Sequence, residues 1–408
     1  MGLAEYINEI QKITDVILSE DRIIVIHHND ADGLSSATVL IEGFRRLGKD
    51  LERVALERTH PEILKRLFNK FSGLFVFVDL GAGNAPAIAS FNREFGNKVI
   101  IIDHHAGSRV NDKNIHVLTT EFYGLSGDRD ISAASAAYIF VKSLGVHKGL
   151  SYLGVIGAIG DSHHRFGRLE SVNRMVLNEA VREGSVKIEV TSNNSEKYYL
   201  TKFGYIEDIE SYAKLITMLG AAGFLLDGPE VAIDSLMRGR SKPFDEKVKE
   251  INSIKQRAFD AMVDYIKNKG MAHSKFFQWI DVGERFHPMG VKAIGEFLME
   301  IRNSDFIDQS KYIAGFQSMP RIVPKLGEFD WDLKKVSLRL PARLEADVIK
   351  RRMPGYDYLV PRAAPHVGGD IDACHGYACA TTFNSGLEKK FIDILDKLVE
   401  DYLRERSS

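Results

Sequence analysis

Cysteine is nearly absent from this 408-residue chain: only Cys374 and Cys379 occur, close together near the C-terminal end. Two thiols cannot build a disulfide framework or a four-thiolate zinc site, so a reducing cytoplasm is the expected setting. Long hydrophobic runs are missing as well. Those present, such as 74–78 and 99–102, fall far short of the roughly 20 residues that span a bilayer. The opening MGLAEYINEIQKI carries acidic residues where a signal peptide needs a basic start and an unbroken apolar stretch. Neither a membrane segment nor a secretion signal is expected. An excess of one charge is also lacking, since 54 Lys and Arg face 56 Asp and Glu for a net charge of −2. Global attraction to nucleic acid or anionic membrane is thereby excluded, and any polyanion site must be local. No internal repeat or low-complexity tract is present.

The length suits two or three domains, and the 44% hydrophobic and 27% charged fractions are those of a folding chain. Apolar residues at three- and four-residue intervals from Leu3 to Leu18 predict one opening amphipathic helix. Arg22 to His28, Leu74 to Asp79 and Lys98 to Asp103 are short, almost wholly apolar runs that end in His or Asp, and helical spacing follows the first from Leu34 to Leu47. Continuous apolar strands alternating with helices indicate an α/β fold with a parallel sheet covered on both faces. The Ala- and Gly-rich segments 132–144 and 151–160 are expected as buried helices. Residues 1–240 form the expected first domain, 241–270 a long connecting helix, and 271–408 a smaller α/β domain. In that last domain, strands near 276–282, 312–316 and 336–340, a helix near 291–301 and an amphipathic C-terminal helix are expected.

Side chains at strand ends carry the chemistry. His28-Asn29-Asp30-Ala31-Asp32-Gly33 follows the first strand, Asp79 and Asp103 end later ones, and Asp161 closes GAIGD. Open α/β sheets bind ligands at the carboxyl ends of their strands, so Asp30, Asp32, Asp79, Asp103, His104, His105 and Asp161 are expected to converge in one crevice. Any one of them alone would read as a cap or turn residue; three apolar strands each running into His or Asp would not. Gathered carboxylates repel unless cations neutralise them, and an Asp-dominated set with imidazoles suits Mn²⁺, then Mg²⁺. Six or seven ligands exceed the need of one hydrated ion, so two ions bridged by an aspartate such as Asp79 are expected.

HHNDADG, VDLG, DHH and GAIGD, in this order, resemble the four motifs of the DHH phosphoesterases over roughly residues 20–240. MLGAAGF with PEVAIDSLM resembles the end of the nuclease members' catalytic domain. VSLRL and HVGGDIDACHGYACA resemble the family's C-terminal DHHA1-like domain, with Gly368-Gly369-Asp370 where members carry Gly-Gly-Gly-His. The resemblance implies His28, Asp30 and Asp79 on one metal, and Asp32, Asp79, His104 and Asp161 on the other. It also implies Asp103 orienting His104, and His105 reaching the scissile phosphate or the leaving oxygen. Substrate would be held by Arg339, Gly368, Gly369 and either Asp370 or a displaced His375. A basic stretch from Lys311 to Arg362, with Lys350-Arg351-Arg352, Tyr356 and Tyr358, is a candidate track for a sugar-phosphate backbone. His163, His164 and Arg165 either border the crevice or belong to the surface. By resemblance to archaeal RecJ-like nucleases, most of all the Hef-associated branch, the expected activity is single-strand exonuclease hydrolysis to mononucleotides, 3′→5′, in repair or fork processing. The expected substrate is DNA before RNA, the partner a repair or replication helicase, and the assembly a homotrimer, for which apolar seams on both terminal helices are also candidates. The competing readings are a phosphodiesterase of short oligoribonucleotides or cyclic dinucleotides, and a helicase-binding scaffold.

Overall fold

A computed structural model describes residues 2–407; the side chains of residues 370–373 and 407 lie outside the described set. The chain divides into two compact units, one running to Lys249 and including Val323–Gly327, the other comprising Glu250–Ile322 and Glu328 onward.

In the first unit the strands are β1 (Arg22–His28), β2 (Asp50–Leu56), β3 (Leu74–Val78), β4 (Val99–Asp103) and β5 (Ile115–Thr119). They form one sheet in the order β2-β1-β3-β4-β5 with every pairing parallel. β3 and β4 are buried along their whole length, as their uninterrupted Leu, Val, Ile and Phe require of strands covered on both faces. The helices of this unit are α1 (Leu3–Lys12), α2 (Thr14–Ser19), α3 (Ala31–Arg46), α4 (Pro61–Lys70), α5 (Ala85–Asn92), α6 (Ala133–Ser143), α7 (Ser151–Gly160), α8 (Ser171–Arg182), α9 (Ile209–Ala221) and α10 (Gly228–Arg238). The single opening helix expected from periodicity is two, broken at Ile13. A three-stranded antiparallel sheet of β6 (Val186–Val190), β7 (Glu196–Leu200) and β8 (Glu207–Asp208) has no counterpart in the expected elements.

Helix α11 (Lys242–Lys269) leads into the second unit. There a six-stranded sheet has the order β15-β16-β14-β11-β10-β9. Its strands are β9 (Ala272–His273), β10 (Phe277–Gly283), β11 (Tyr312–Ser318), β14 (Leu333–Arg339), β15 (Asp370–His375) and β16 (Ala378–Asn384); β12 (Ile322–Val323) pairs separately with β13 (Gly327–Glu328). Only β10 and β11 pair in parallel. The helices are α12 (Ala293–Ile301), α13 (Ala342–Ile349), α14 (Tyr356–Ala363) and α15 (Glu388–Ser407).

Two expectations are corrected here. The apolar seam of α15, offered as an assembly surface, is used within its own unit: Phe391, Ile392, Leu395 and Val399 are buried in one core with Phe277, Tyr312, Phe316 and Leu338, and Leu387 and Leu398 pack against it. Tyr6 and Ile10 of α1 are buried likewise. A reducing setting favours free thiols, yet Cys374 and Cys379 face each other across β15 and β16 and are joined as a disulfide. Among the described residues, no helix is long and apolar enough to cross a membrane.

Candidate metal centre

Neighbouring parallel strands β1, β3 and β4 deliver His28, Asp79 and Asp103-His104-His105 to one edge of the sheet, the edge where open α/β sheets bind ligands. Asp30 caps α3 by accepting from the Gly33 amide at 3.1 Å. Position 33 has no room for a side chain, because a Cβ there would lie 2.5 Å from the His28 carbonyl oxygen. Asp79 stands in the left-handed region at φ 61°, a conformation that Asp tolerates better than most residues and that recurs at functional sites. The loop after β1 is held from α9: the Asn29 amide donates to the Gly220 carbonyl at 3.0 Å, and a Cβ on Gly220 would meet the Asn29 carbonyl at 1.9 Å. Asp161 follows directly on α7.

His28 Nδ1 lies 2.9 Å from Asp30 Oδ2 and 3.3 Å from Asp79 Oδ2. His104 Nε2 lies 3.3 Å from Asp79 Oδ1, 3.4 Å from Asp161 Oδ2 and 3.9 Å from Asp32 Oδ2. The ligand atoms of His28, Asp30 and Asp79 all fall within 4.8 Å of one another, as do those of Asp79, Asp103, His104 and His105, and those of His104, Asp161 and His163. Each set could hold a metal ion. His104 Nδ1 is 2.8 Å from the Gly127 carbonyl; a carbonyl only accepts, so Nδ1 carries a proton and in the neutral ring the lone pair is on Nε2. That lone pair and the three carboxylates meet in a buried space. His104 Nε2 and Asp79 Oδ1 are both buried without a hydrogen-bond partner.

The crowding shows in the proton affinities. Burial, then the charges of Asp161 and Asp79, push Asp32 well above the usual carboxylate range. Burial also raises Asp161, with Asp30 and Asp79 adding and His104 opposing, to about 7. Burial lowers His104, but the adjoining Asp79 carboxylate and the charges of Asp161 and Asp32 outweigh it and hold the imidazole well above its ordinary value. Protons thus take up negative charge that a cation would otherwise neutralise, and the donor set fits divalent ions.

The structure separates roles that motif order runs together. Asp103 does not orient the His104 ring, which is held by Gly127. Asp103 Oδ1 instead accepts from His105 Nδ1 at 2.8 Å and from the His104 amide at 2.8 Å, and Oδ2 accepts from the Ala82 amide at 3.0 Å. Burial raises Asp103, yet the charge and hydrogen bond of His105 prevail and keep it well below the carboxylate range. Asp32 is engaged by the start of α6, its oxygens accepting from the Ala133 and Ala134 amides at 2.7 and 2.9 Å. His163 lies inward, 3% exposed, beside His104, and only the chain reversal after α7 reveals this. His164 faces Glu210 at 3.6 Å, and the Arg165 guanidinium donates to the Asp128 carbonyl at 3.4 Å.

In the second unit, the residues expected to hold substrate fall at two places. Arg339 and His375 are both level with Ala378, whereas Asp370 is level with Thr382 and Lys335, about 13 Å along the strand at 3.3 Å per residue. Gly368 has φ +66° and the Gly369 amide donates to the Ala364 carbonyl at 2.9 Å; the side chain of Asp370 lies outside the described residues. Tyr356 is no surface platform: it is fully buried, and its hydroxyl donates to the Arg339 carbonyl at 2.8 Å. Tyr358 lies under the Arg362 guanidinium at 3.9 Å.

The model of the DHH family's N-terminal domain matches residues 22–153. Over 241 residues the chain is 31% identical to an uncharacterized protein of Methanocaldococcus jannaschii, covering 54% of either chain. The chain thus spans about half the length of this curated relative. Among solved structures it is similar to RecJ in complex with Mn²⁺ from Thermus thermophilus, with TM-score 0.63 and 17% identity over 98% of this chain and 55% of that one. It is similar too to an exonuclease RecJ bound to manganese, with TM-score 0.55 and 17% identity over 99% of this chain and 95% of that one. The protein therefore has a RecJ-like fold, an α/β architecture of two domains, whose residues 22–153 match the DHH family's N-terminal domain.

Proposed function

We propose that this chain is a metal-dependent phosphodiesterase that degrades single-stranded nucleic acid from an end, DNA before RNA and 3′→5′, releasing mononucleotides in repair or fork processing. The observation that carries the reading is His104 Nε2 set against the carboxylates of Asp79, Asp161 and Asp32 at 3.3, 3.4 and 3.9 Å, an arrangement whose gathered charge a divalent cation would neutralise. His28, Asp30 and Asp79 would hold one ion, and Asp79, His104 and Asp161, with Asp32 behind them, the other. Divalent ions there supply a nucleophile near neutral pH and neutralise charge on the phosphate oxygens. His105 is half exposed, and Asp103 holds its Nδ1 at 2.8 Å; burial and His104 lower its proton affinity, but Asp103 raises it on balance. When the ring is protonated, its Nε2 can donate to a phosphate or leaving oxygen. Arg339, Gly368, Gly369 and His375 are assigned to the strand's sugar-phosphate backbone. The RecJ structures solved with manganese support Mn²⁺, with Mg²⁺ as the alternative.

Single strands labelled at either the 5′ or the 3′ terminus, incubated with Mn²⁺, with Mg²⁺ and with excess chelator, test the reading. Labelled mononucleotide should appear at once from the 3′ label and only with a metal. Hydrolysis undiminished in chelator would overturn it.

A further inference from the structure

His163 sits against the cluster, with its ring centroid 5.9 Å from that of His104, and it is grouped with His104 and Asp161 as a possible ligand. Its hydrogen bonds point to another role. Asn173 is only 1% exposed, and its Oδ1 accepts from the Ser132 amide at 3.1 Å. A backbone N–H can only donate, so this contact fixes which end of the Asn173 amide is oxygen. The NH₂ end then faces His163 Nδ1 at 2.8 Å. Facing a donor, Nδ1 must accept, and the proton of the neutral ring belongs on Nε2. The Asn173 NH₂ donates to the Arg129 carbonyl as well, at 3.4 Å; a proton on His163 Nδ1 would set two donors against each other at 2.8 Å. Neither nitrogen of His163 keeps a free lone pair for a cation. His104 has the opposite arrangement, with Nδ1 donating to Gly127 and the Nε2 lone pair free.

We infer that His163 is a hydrogen-bond donor to a non-bridging oxygen of the substrate phosphate, and is not a metal ligand, its tautomer set by Asn173. The inference rests on the metal-dependent phosphodiesterase reading above. The same helix start serves both neighbours: Ser132, the cap of α6, orients Asn173, and the next two amides hold Asp32. The His163 backbone is pinned as well, its amide donating to the Ala158 carbonyl at 3.0 Å.

Three readouts on the full chain test this. Nitrogen-15 NMR of the histidine rings, in chelator and in Mg²⁺, with His163 assigned through His163→Gln, should show a proton on Nε2 in both conditions. Mn²⁺ affinity measured by electron paramagnetic resonance should change less than about threefold in His163→Ala, against a loss of more than about 100-fold in His104→Ala, since even the hydrogen-bond partners of ligands are worth about 10–100-fold. The kcat on single strands should fall about 100-fold in His163→Ala, the scale of one lost donor to a charged transition state, and His163→Gln, which keeps a donor, should recover most of it. A proton on Nδ1, a proton lost from Nε2 when metal is added, a Mn²⁺ affinity lost as in His104→Ala, or an unchanged kcat would each overturn the inference. A wild-type chain that binds no Mn²⁺ would overturn the metal reading instead, while the ring spectrum in chelator would still decide the tautomer.

Discussion

Raising the pH from 6.5 to 8.5 should destabilise the metal-free protein, and metal should abolish that effect. Asp161 has a folded value of about 7 against an ordinary 3.8, so the folded state holds a proton that the unfolded chain has already lost. For a carboxyl raised in this way, stability is fullest at low pH and falls as pH climbs through the folded value. His104, raised in the folded state, acts with the same sign, its contribution present below the unfolded value and lost above the folded one. The buried His27 and His163, both lowered to about 3, chiefly by burial, act with the opposite sign, mostly below the unfolded imidazole value of about 6.5. Asp103, depressed, matters only in acid. Between pH 6.5 and 8.5 these two histidines still offset about 0.4 kcal/mol each as the unfolded imidazole sheds its remaining half proton, so the net loss rests on Asp161, His104 and the raised Asp32 together. Asp161 by itself is worth about 1 kcal/mol across that interval, and His104 adds to it. For a unit of this size each kcal/mol moves the melting temperature by about 2–4 °C. Thermal unfolding in chelator at the two pH values gives the shift, and the same scan in Mn²⁺ should show the loss cancelled. Calorimetric titration with Mn²⁺ in buffers of different ionisation enthalpy should show protons released. A metal-free melting temperature that holds level or rises over this interval, or binding without proton release, would refute the argument.

Asp79→Asn should keep the fold and remove at least about 10³ of the strand-hydrolysis rate, because the carboxylate stands between both candidate ion positions; wild-type rates in the purified variant would reject the bridging assignment. Gly157→Ala would place a Cβ 2.2 Å from Asp32 Oδ1 and 2.4 Å from the Ala134 side chain, an overpacking cost of about 1–3 kcal/mol. Denaturant unfolding should register it, and an unchanged midpoint would show that α7 does not confine Asp32. Tyr356→Phe removes a buried hydroxyl that donates to the Arg339 carbonyl at 2.8 Å, so the second unit should lose about 1 kcal/mol while kcat stays level. A large fall in kcat would return Tyr356 to the substrate-binding residues.

What was legible in the sequence follows from burial. β1, β3 and β4 lie in the interior of the sheet, and their unbroken apolar runs announce them. The edge strands β2, DLERVAL, and β5, IHVLT, are partly exposed and mix polar with apolar residues, so neither the alternating nor the continuous pattern marks them. The hairpin of β15, which carries Asp370 and His375, with β16 is unmarked for a related reason, since Gly, Cys and His at a hairpin resemble a loop.

Within the site, residue types were legible and proton positions were not. Carboxylates at the ends of parallel strands must converge, and that much follows from order along the chain. Which nitrogen of an imidazole carries a proton depends on what the other nitrogen meets. For His104 that is a carbonyl 23 residues away, and for His163 an amide 10 residues away whose own orientation is set by a third segment, at Ser132. Two histidines that share a crevice, and that no spacing rule distinguishes, are in this way prepared for opposite tasks, one to offer an electron pair to a cation and the other to offer a proton to an anion. Neither Gly127 nor Asn173 carries a motif, because the first acts through its backbone and the second through the tautomer it imposes. A chain that kept HHNDADG, DHH and GAIGD but lost Asn173 would retain the residues assigned to both candidate ion positions and lose the polarity of the donor beside them.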